Sequence, residues 1–237
     1  MSITPLSRPV ALVTGAGVRV GNAIARHLAK HGYLVAGHYR THAPRGVAAA
    51  FQADLALPDG PAQLAAAVRR QFKRLDLLVN SAAGFEERRV EEIDAATFDE
   101  QMDLNARAPL LLTRALLPLL RKSGGSVVNI VDVGGGLVPW RRFAAYAASK
   151  AALARITECL SLELAPKVRV NAVLPGAVMW PADWPAAKVK EHIRKIPLLR
   201  AGTPEDVASA VRFLAEAPFI TGALLPVDGG RHLSGRQ

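Results

Sequence analysis

The chain has 237 residues and only one cysteine, Cys159. A single thiol forms no internal disulfide and cannot make up a cysteine-ligated zinc site. Both common ways of stapling a small core are therefore excluded, and a reducing, cytoplasmic setting is expected. Long apolar runs are also missing. Residues 1–9 contain no apolar segment of the signal-peptide kind, and later apolar stretches are broken by Arg, Lys, Pro or Gly well short of a bilayer span; neither secretion nor membrane insertion is expected. Acidic residues are in deficit. The 20 Asp and Glu against 30 Lys and Arg leave a formal charge of +10, which favours anionic partners such as a phosphorylated cofactor, an acidic substrate or nucleic acid. The basic pairs Arg69-Arg70, Arg88-Arg89, Arg141-Arg142 and Arg194-Lys195 are scattered and lack interleaved aromatics. That pattern is one of surface charge, so no nucleic-acid interface is expected; His27 and His31 stand four apart but without a companion glutamate or third ligand, so no metal site is expected either. No repeat, low-complexity tract or linker divides the sequence, and one domain over 1–237 is expected.

What is present is a regular alternation. Val10-Ala-Leu-Val-Thr14 is a short apolar run ending in a glycine-bearing turn, which reads as a strand buried on both faces. Val20, Ile24, Ala25 and Leu28 follow at helical spacing, Gly32 ends the segment, and a second apolar run begins at Tyr33. Further strands are expected at 49–53, 75–80, 127–131, 168–173 and 224–227, with helical patterns between most of them. The alternation implies an α/β Rossmann fold with a doubly wound parallel sheet. One crossover is irregular: the stretch from His38 to Phe51 contains Pro44 and Gly46 and is too short for a full helix, so a loop or single turn is expected there.

Thr14-Gly-Ala-Gly-Val-Arg-Val-Gly21 lies between the first strand and the first helix, where backbone amides and a helix N-terminus can receive a diphosphate. Further on, Tyr146 and Lys150 stand four apart, one above the other on a helix face, close enough for the ammonium to lower the phenol pKa. With Asn80-Ser-Ala-Ala-Gly84, Asn105, Tyr146-Ala-Ala-Ser-Lys150, Pro175-Gly176 and Val227-Asp-Gly-Gly230 in order, nearly the whole chain resembles the short-chain dehydrogenase/reductase family. The resemblance implies hydride transfer between a nicotinamide cofactor and a small molecule, a homotetramer, and a variable substrate loop at about 176–200. It makes Tyr146 the proton donor, Lys150 the holder of the nicotinamide ribose, and Asn105 the holder of a relay water. For the cofactor it implies Gly15, Gly17, Arg19, Val20 and Gly21 in the turn, Asp54 and Leu55 at the adenine, and Asn80, Ser81, Ala82, Pro175 and Gly176. The end of the second strand, His38-Tyr-Arg-Thr41, carries no acid to repel a 2′-phosphate; Arg40, with the hydroxyls of Tyr39 and Thr41, favours NADPH.

Three positions depart from the common family pattern. Arg19 replaces the middle glycine, Ser81 the second asparagine of a pair, and Asp132 the serine at the end of a strand. Arg19 and Asp132 resemble the pteridine reductases and the related dihydromonapterin and dihydrofolate reductases, as does Phe85, which in those enzymes stacks on a pterin ring. By that likeness Arg19, Phe85, Asp132 and Tyr146 bind a pterin, and Trp180, with Trp184 and Trp140, could form an apolar lid. Phe85 as ordinary core packing stays open. The competing substrate is a 3-oxoacyl thioester on acyl carrier protein or another ketone, and a further alternative is an idle binder of NADPH or nucleic acid.

Overall fold

The computed structural model describes residues 8–180 and 184–234. Seven strands form one sheet: β1 Val10–Val13, β2 Leu34–Tyr39, β3 Ala49–Gln52, β4 Leu77–Asn80, β5 Ser126–Ile130, β6 Arg169–Pro175 and β7 Leu224–Val227. Every pairing is parallel and the order is β3-β2-β1-β4-β5-β6-β7. This is the doubly wound sheet expected from the alternation. β1, β4 and β5 are buried along their whole length, which is why Val, Leu, Ile and Ala make up most of their residues. Between Tyr39 and Ala49 the chain crosses as a loop with no helix.

Helices cover both faces. One layer holds α1 (Arg19–Lys30) and α8 (Pro204–Glu216), and the other holds α2 (Gly60–Gln71), α4 (Ala108–Ser123) and α6 (Ala144–Leu164). In α1 the apolar spacing puts Ile24, Ala25 and Leu28 into the core with Val207, Ala208, Val211 and Leu214 of α8. α8 starts on a reciprocal cap: Thr203 Oγ1 accepts from the Asp206 N–H at 3.2 Å and the Asp206 carboxylate accepts from the Thr203 N–H at 2.8 Å. The short helices α3 (Ala95–Met102), α5 (Val133–Gly136) and α7 (Ala186–Arg194) complete the set among the described residues. No described helix is long and apolar enough to cross a membrane.

Pro109 does not end a helix. The path runs from α3 through a π turn, Asp103–Arg107, directly into α4, where Pro109 sits in the first turn and has no intrahelical N–H to lose. The strand order reverses between β1 and β4, so the segments after their carboxyl ends border the crevice where ligands of such sheets bind.

Candidate active site

The crevice begins with Thr14. Its hydroxyl oxygen accepts from the N–H groups of Ser81 and Ala82, both at 2.9 Å, and so ties the end of β1 to the end of β4. Gly17 has to be bare, because a Cβ there would lie 1.8 Å from the His42 carbonyl oxygen. The following helix α1 starts at Val18 without a side-chain cap and without an acid in its first turn. Its first N–H groups therefore keep their partial positive charge for an anion, and the turn fits a diphosphate. Arg19 is exposed and holds φ +49°, the left-handed conformation for which a glycine would be suited.

The neighbouring cofactor candidates differ in what they have free. Arg40 is exposed; its backbone carbonyl accepts from Gln52 Nε2 at 3.0 Å, and its guanidinium has no protein partner among the described residues. Tyr39 is half-buried, and Thr41 Oγ1 pairs with the His42 ring at 2.8 Å. One Asp54 oxygen accepts from the Ala56 N–H at 3.0 Å, while the Leu55 side chain is buried in the core and leaves only its backbone to a ligand. Val20 packs against the α1–α8 core. Asn80 is buried and turned inward: it donates to Asn129 at 2.8 Å, and Asn129 in turn donates to Thr157 at 2.9 Å. Pro175 ends β6, and Gly176 lies against Asp228.

Tyr146 and Lys150 are both buried on α6. Asp132 follows β5 and caps α5, accepting from the Gly134 N–H at 2.5 Å, and its carboxyl interacts with the Tyr146 phenol. Lys150 Nζ donates to the Ile130 carbonyl at 2.9 Å and lies 5.9 Å from the centre of the Tyr146 ring. Gly135 lets α6 come this close, since a Cβ there would be 2.3 Å from the Lys150 Cβ. Burial pushes the Asp132 carboxyl up to about 6, against the opposing pull of the Gly134 N–H and Lys150. Burial also lowers Lys150 to about 8, although the Asp132 charge supports its ammonium.

The expected lowering of the Tyr146 pKa by Lys150 is not found. The phenol is raised well above its usual value, first by burial and then by the charge and hydrogen bond of Asp132. Burial first, and the Asp132 carboxylate after it, hold the proton on Tyr146. The Asn105 side chain is engaged with its own neighbours. It sits fully buried in the π turn, accepts from the Gly84 N–H at 2.9 Å, and donates to the Gly84 carbonyl and Ser149 Oγ, each at 3.0 Å. Its amide fastens the loop after β4 to α6, leaving no spare side-chain donor aimed at Lys150.

Phe85 is not core packing: it is 58 % exposed. It belongs to an aromatic wall, stacked on Phe143 at 4.8 Å between ring centres and edge-on to Tyr146 at 4.9 Å, with Trp140 at 6.4 Å. No motif points to Phe143; the only sequence signal is its place three residues before Tyr146, and in the fold it is the residue that precedes α6. Trp140 joins this wall, whereas Trp180 stacks on Trp184 at 5.5 Å and contacts His192 at 5.6 Å. Residues 181–183 of the expected substrate loop lie outside the described residues.

A family model described as Enoyl-(Acyl carrier protein) reductase matches residues 15–232. The chain belongs to the short-chain dehydrogenase/reductase family. It is 35% identical to a 3-oxoacyl-[acyl-carrier-protein] reductase of Synechocystis over 96% of this chain and 98% of that protein. It is 32% identical to trans-4-hydroxycyclohexanecarboxylate dehydrogenase of Sinomonas cyclohexanicum, covering 95% of this chain and 93% of that one. The solved structure of Thermoplasma acidophilum aldohexose dehydrogenase in ligand-free form superposes with a TM-score of 0.90 at 29% identity, over 96% of this chain and 95% of that one. As a member of the short-chain dehydrogenase/reductase family the protein is an oxidoreductase that uses a nicotinamide cofactor. The names of these relatives favour the carbonyl alternative over the pterin.

Proposed function

We propose that the protein is an NADPH-dependent reductase of a carbonyl compound, a 3-oxoacyl thioester or another ketone. The observation that carries this reading is the buried Tyr146–Lys150 pair on α6, taken together with the uncapped start of α1. The backbone from Gly15 to Gly21 would hold the diphosphate, with Arg19 beside it, and Arg40, Tyr39 and Thr41 the 2′-phosphate. Asp54 and the Leu55 backbone would face the adenine, and Ser81, Ala82, Pro175 and Gly176 would line the nicotinamide end. The cofactor supplies the hydride when bound. Tyr146 gives the phenolic proton to the oxygen of the reduced carbonyl, and Lys150 holds the ribose hydroxyls and steadies the phenolate that remains. Asp132, whose carboxyl interacts with the phenol, returns a proton to it.

A second reading narrows the substrate to a pterin or dihydropterin. Asp132 and the exposed Phe85 favour it, since both meet at Tyr146 and together offer a flat ring an aromatic face and a titrating carboxyl. The relatives favour the first reading. The deciding experiment is NADPH oxidation by purified protein with acetoacetyl thioester and 7,8-dihydrobiopterin in parallel, NADH replacing NADPH in matched runs. Turnover of the thioester supports the first reading and turnover of the pterin alone the second; oxidation of neither would overturn both. Preference for NADH would remove Arg40 from the cofactor site. A homotetramer is part of the proposal and is read by light scattering.

A further inference from the structure

We propose that His38 is a positioning residue for cofactor binding: one buried imidazole that locks the diphosphate turn to the adenine wall. The inference rests on the reading that the turn after β1 holds NADPH.

His38 is 2 % exposed near the end of β2 and both ring nitrogens are used. The Gly15 N–H donates to Nδ1 at 3.2 Å, and Nε2 faces the Ala53 carbonyl at 3.1 Å. A bare Nδ1 and a hydrogen on Nε2 satisfy both contacts. The other neutral tautomer would set two hydrogens against each other at Gly15 and two lone pairs at Ala53, so a single protonation state fits. The backbone adds a third tie, as the Ala16 N–H donates to the His38 carbonyl at 2.8 Å.

These ties join the three segments that would touch a dinucleotide. Gly15 opens the diphosphate turn and has φ +66°, a conformation that its bond to Nδ1 helps to hold. Ala53 immediately precedes Asp54 and Leu55. Arg40 lies two residues beyond His38, just past the end of β2. With the ring gone, the Gly15 N–H stays in a part-buried place without its acceptor, and the turn loses the bond that sets its shape. The chemistry at Tyr146 makes no contact with His38 and is left as it is.

The test compares His38→Asn, His38→Gln and His38→Leu. Asparagine puts an amide oxygen where Nδ1 stands and keeps the Gly15 bond; glutamine puts its amide where Nε2 stands and keeps only the Ala53 bond. The readout is the equilibrium dissociation constant for NADPH from tryptophan fluorescence, with kcat at saturating NADPH as the second measurement. We expect the Asn variant to bind within about threefold of wild type and the Gln and Leu variants to bind about tenfold or more weakly, while kcat changes by less than about twofold in all three. Equal binding by wild type and the Gln variant, or equally poor binding by Asn and Gln, overturns the proposal. Imidazole nitrogen NMR of the wild-type protein without nucleotide keeps it falsifiable should the Leu variant fail to fold. A hydrogen found on Nδ1 of His38 overturns the inference. Wild-type protein that binds no NADPH would overturn the cofactor reading and the inference together, whereas normal wild-type binding with unaffected variants overturns the inference alone.

Discussion

The Asp132 carboxyl acts on the Tyr146 phenol, and with burial it keeps the phenol pKa raised. A serine in place of Asp132 would orient the tyrosine without changing charge, whereas this carboxyl titrates at about 6, within reach of ordinary assay conditions. Tyr146, Asp132 and Lys150 therefore share protons as a set, and the apparent pKa values of turnover belong to the set.

A proton donor has to be protonated, so its contribution is full at low pH and lost as pH rises through its pKa. If Asp132 refills Tyr146, kcat/KM for reduction should be flat at low pH and fall above about 6, the value set by burial of the carboxyl. Asp132→Ser should move that fall upward, toward the range set by Lys150. That range itself lies somewhat below about 8 once the supporting carboxylate is gone. A profile that keeps its midpoint in Asp132→Ser takes Asp132 out of the proton path.

The same burial has a consequence for stability. The folded Asp132 pKa is raised from 3.8 to about 6, so the folded state prefers the protonated form. The resulting stability is full below the unfolded value and is lost as pH rises to the folded one. Asp132→Asn keeps the shape and removes the charge, at the expense of the support that the carboxylate gives Lys150. The variant should match wild type near the unfolded pKa and be more stable above the folded one by about 1–2 kcal/mol, seen as a melting temperature about 2–8 °C higher. Its activity should fall in the same preparation. Equal melting temperatures at alkaline pH would mean that Asp132 is better solvated than its burial implies.

The sheet was legible because its strands are apolar on both faces: Val10–Val13 and Leu77–Asn80 need no partner to be recognised. The glycine turn and the Tyr146–Lys150 spacing were legible as motifs. What motifs do not carry is the neighbour that arrives through space. The Tyr146 pKa rises because the fold buries the phenol and brings Asp132, fourteen residues earlier in the chain, against it. Asn105 faces Gly84 and Ser149 because a π turn rotates it there, and no residue type announces a π turn. His38 reads as one polar residue in an apolar strand until Gly15 and Ala53 are seen on either side of its ring.

Phe143 lies behind Phe85, ring on ring at 4.8 Å, and so sets the face that Phe85 turns to a substrate. Phe143→Leu keeps apolar volume and removes the stack, an interaction of about 0.5–1.5 kcal/mol. KM for a flat heteroaromatic substrate should rise about two- to tenfold, with kcat nearly unchanged and KM for a thioester unaffected. A matching rise for both substrates would make Phe143 a general support of the site; no change for either would leave the wall without a part in binding.

Arg19 holds φ +49° at the first position of α1, where L-residues other than glycine are strained by about 1–2 kcal/mol. Such strain persists where the side chain is needed, and Arg19 is exposed at the turn proposed to hold the diphosphate. Arg19→Gly should relieve the strain. The melting temperature should rise by about 2–4 °C, while the dissociation constant for NADPH, the KM of the substrate, or both should increase. The two readings of the substrate separate here as well. If Arg19 reaches a pterin, KM for dihydrobiopterin should increase more than KM for the thioester; if it serves the phosphates alone, only NADPH binding should weaken. A variant that gains stability and loses neither affinity would show that the arginine has no part in either site.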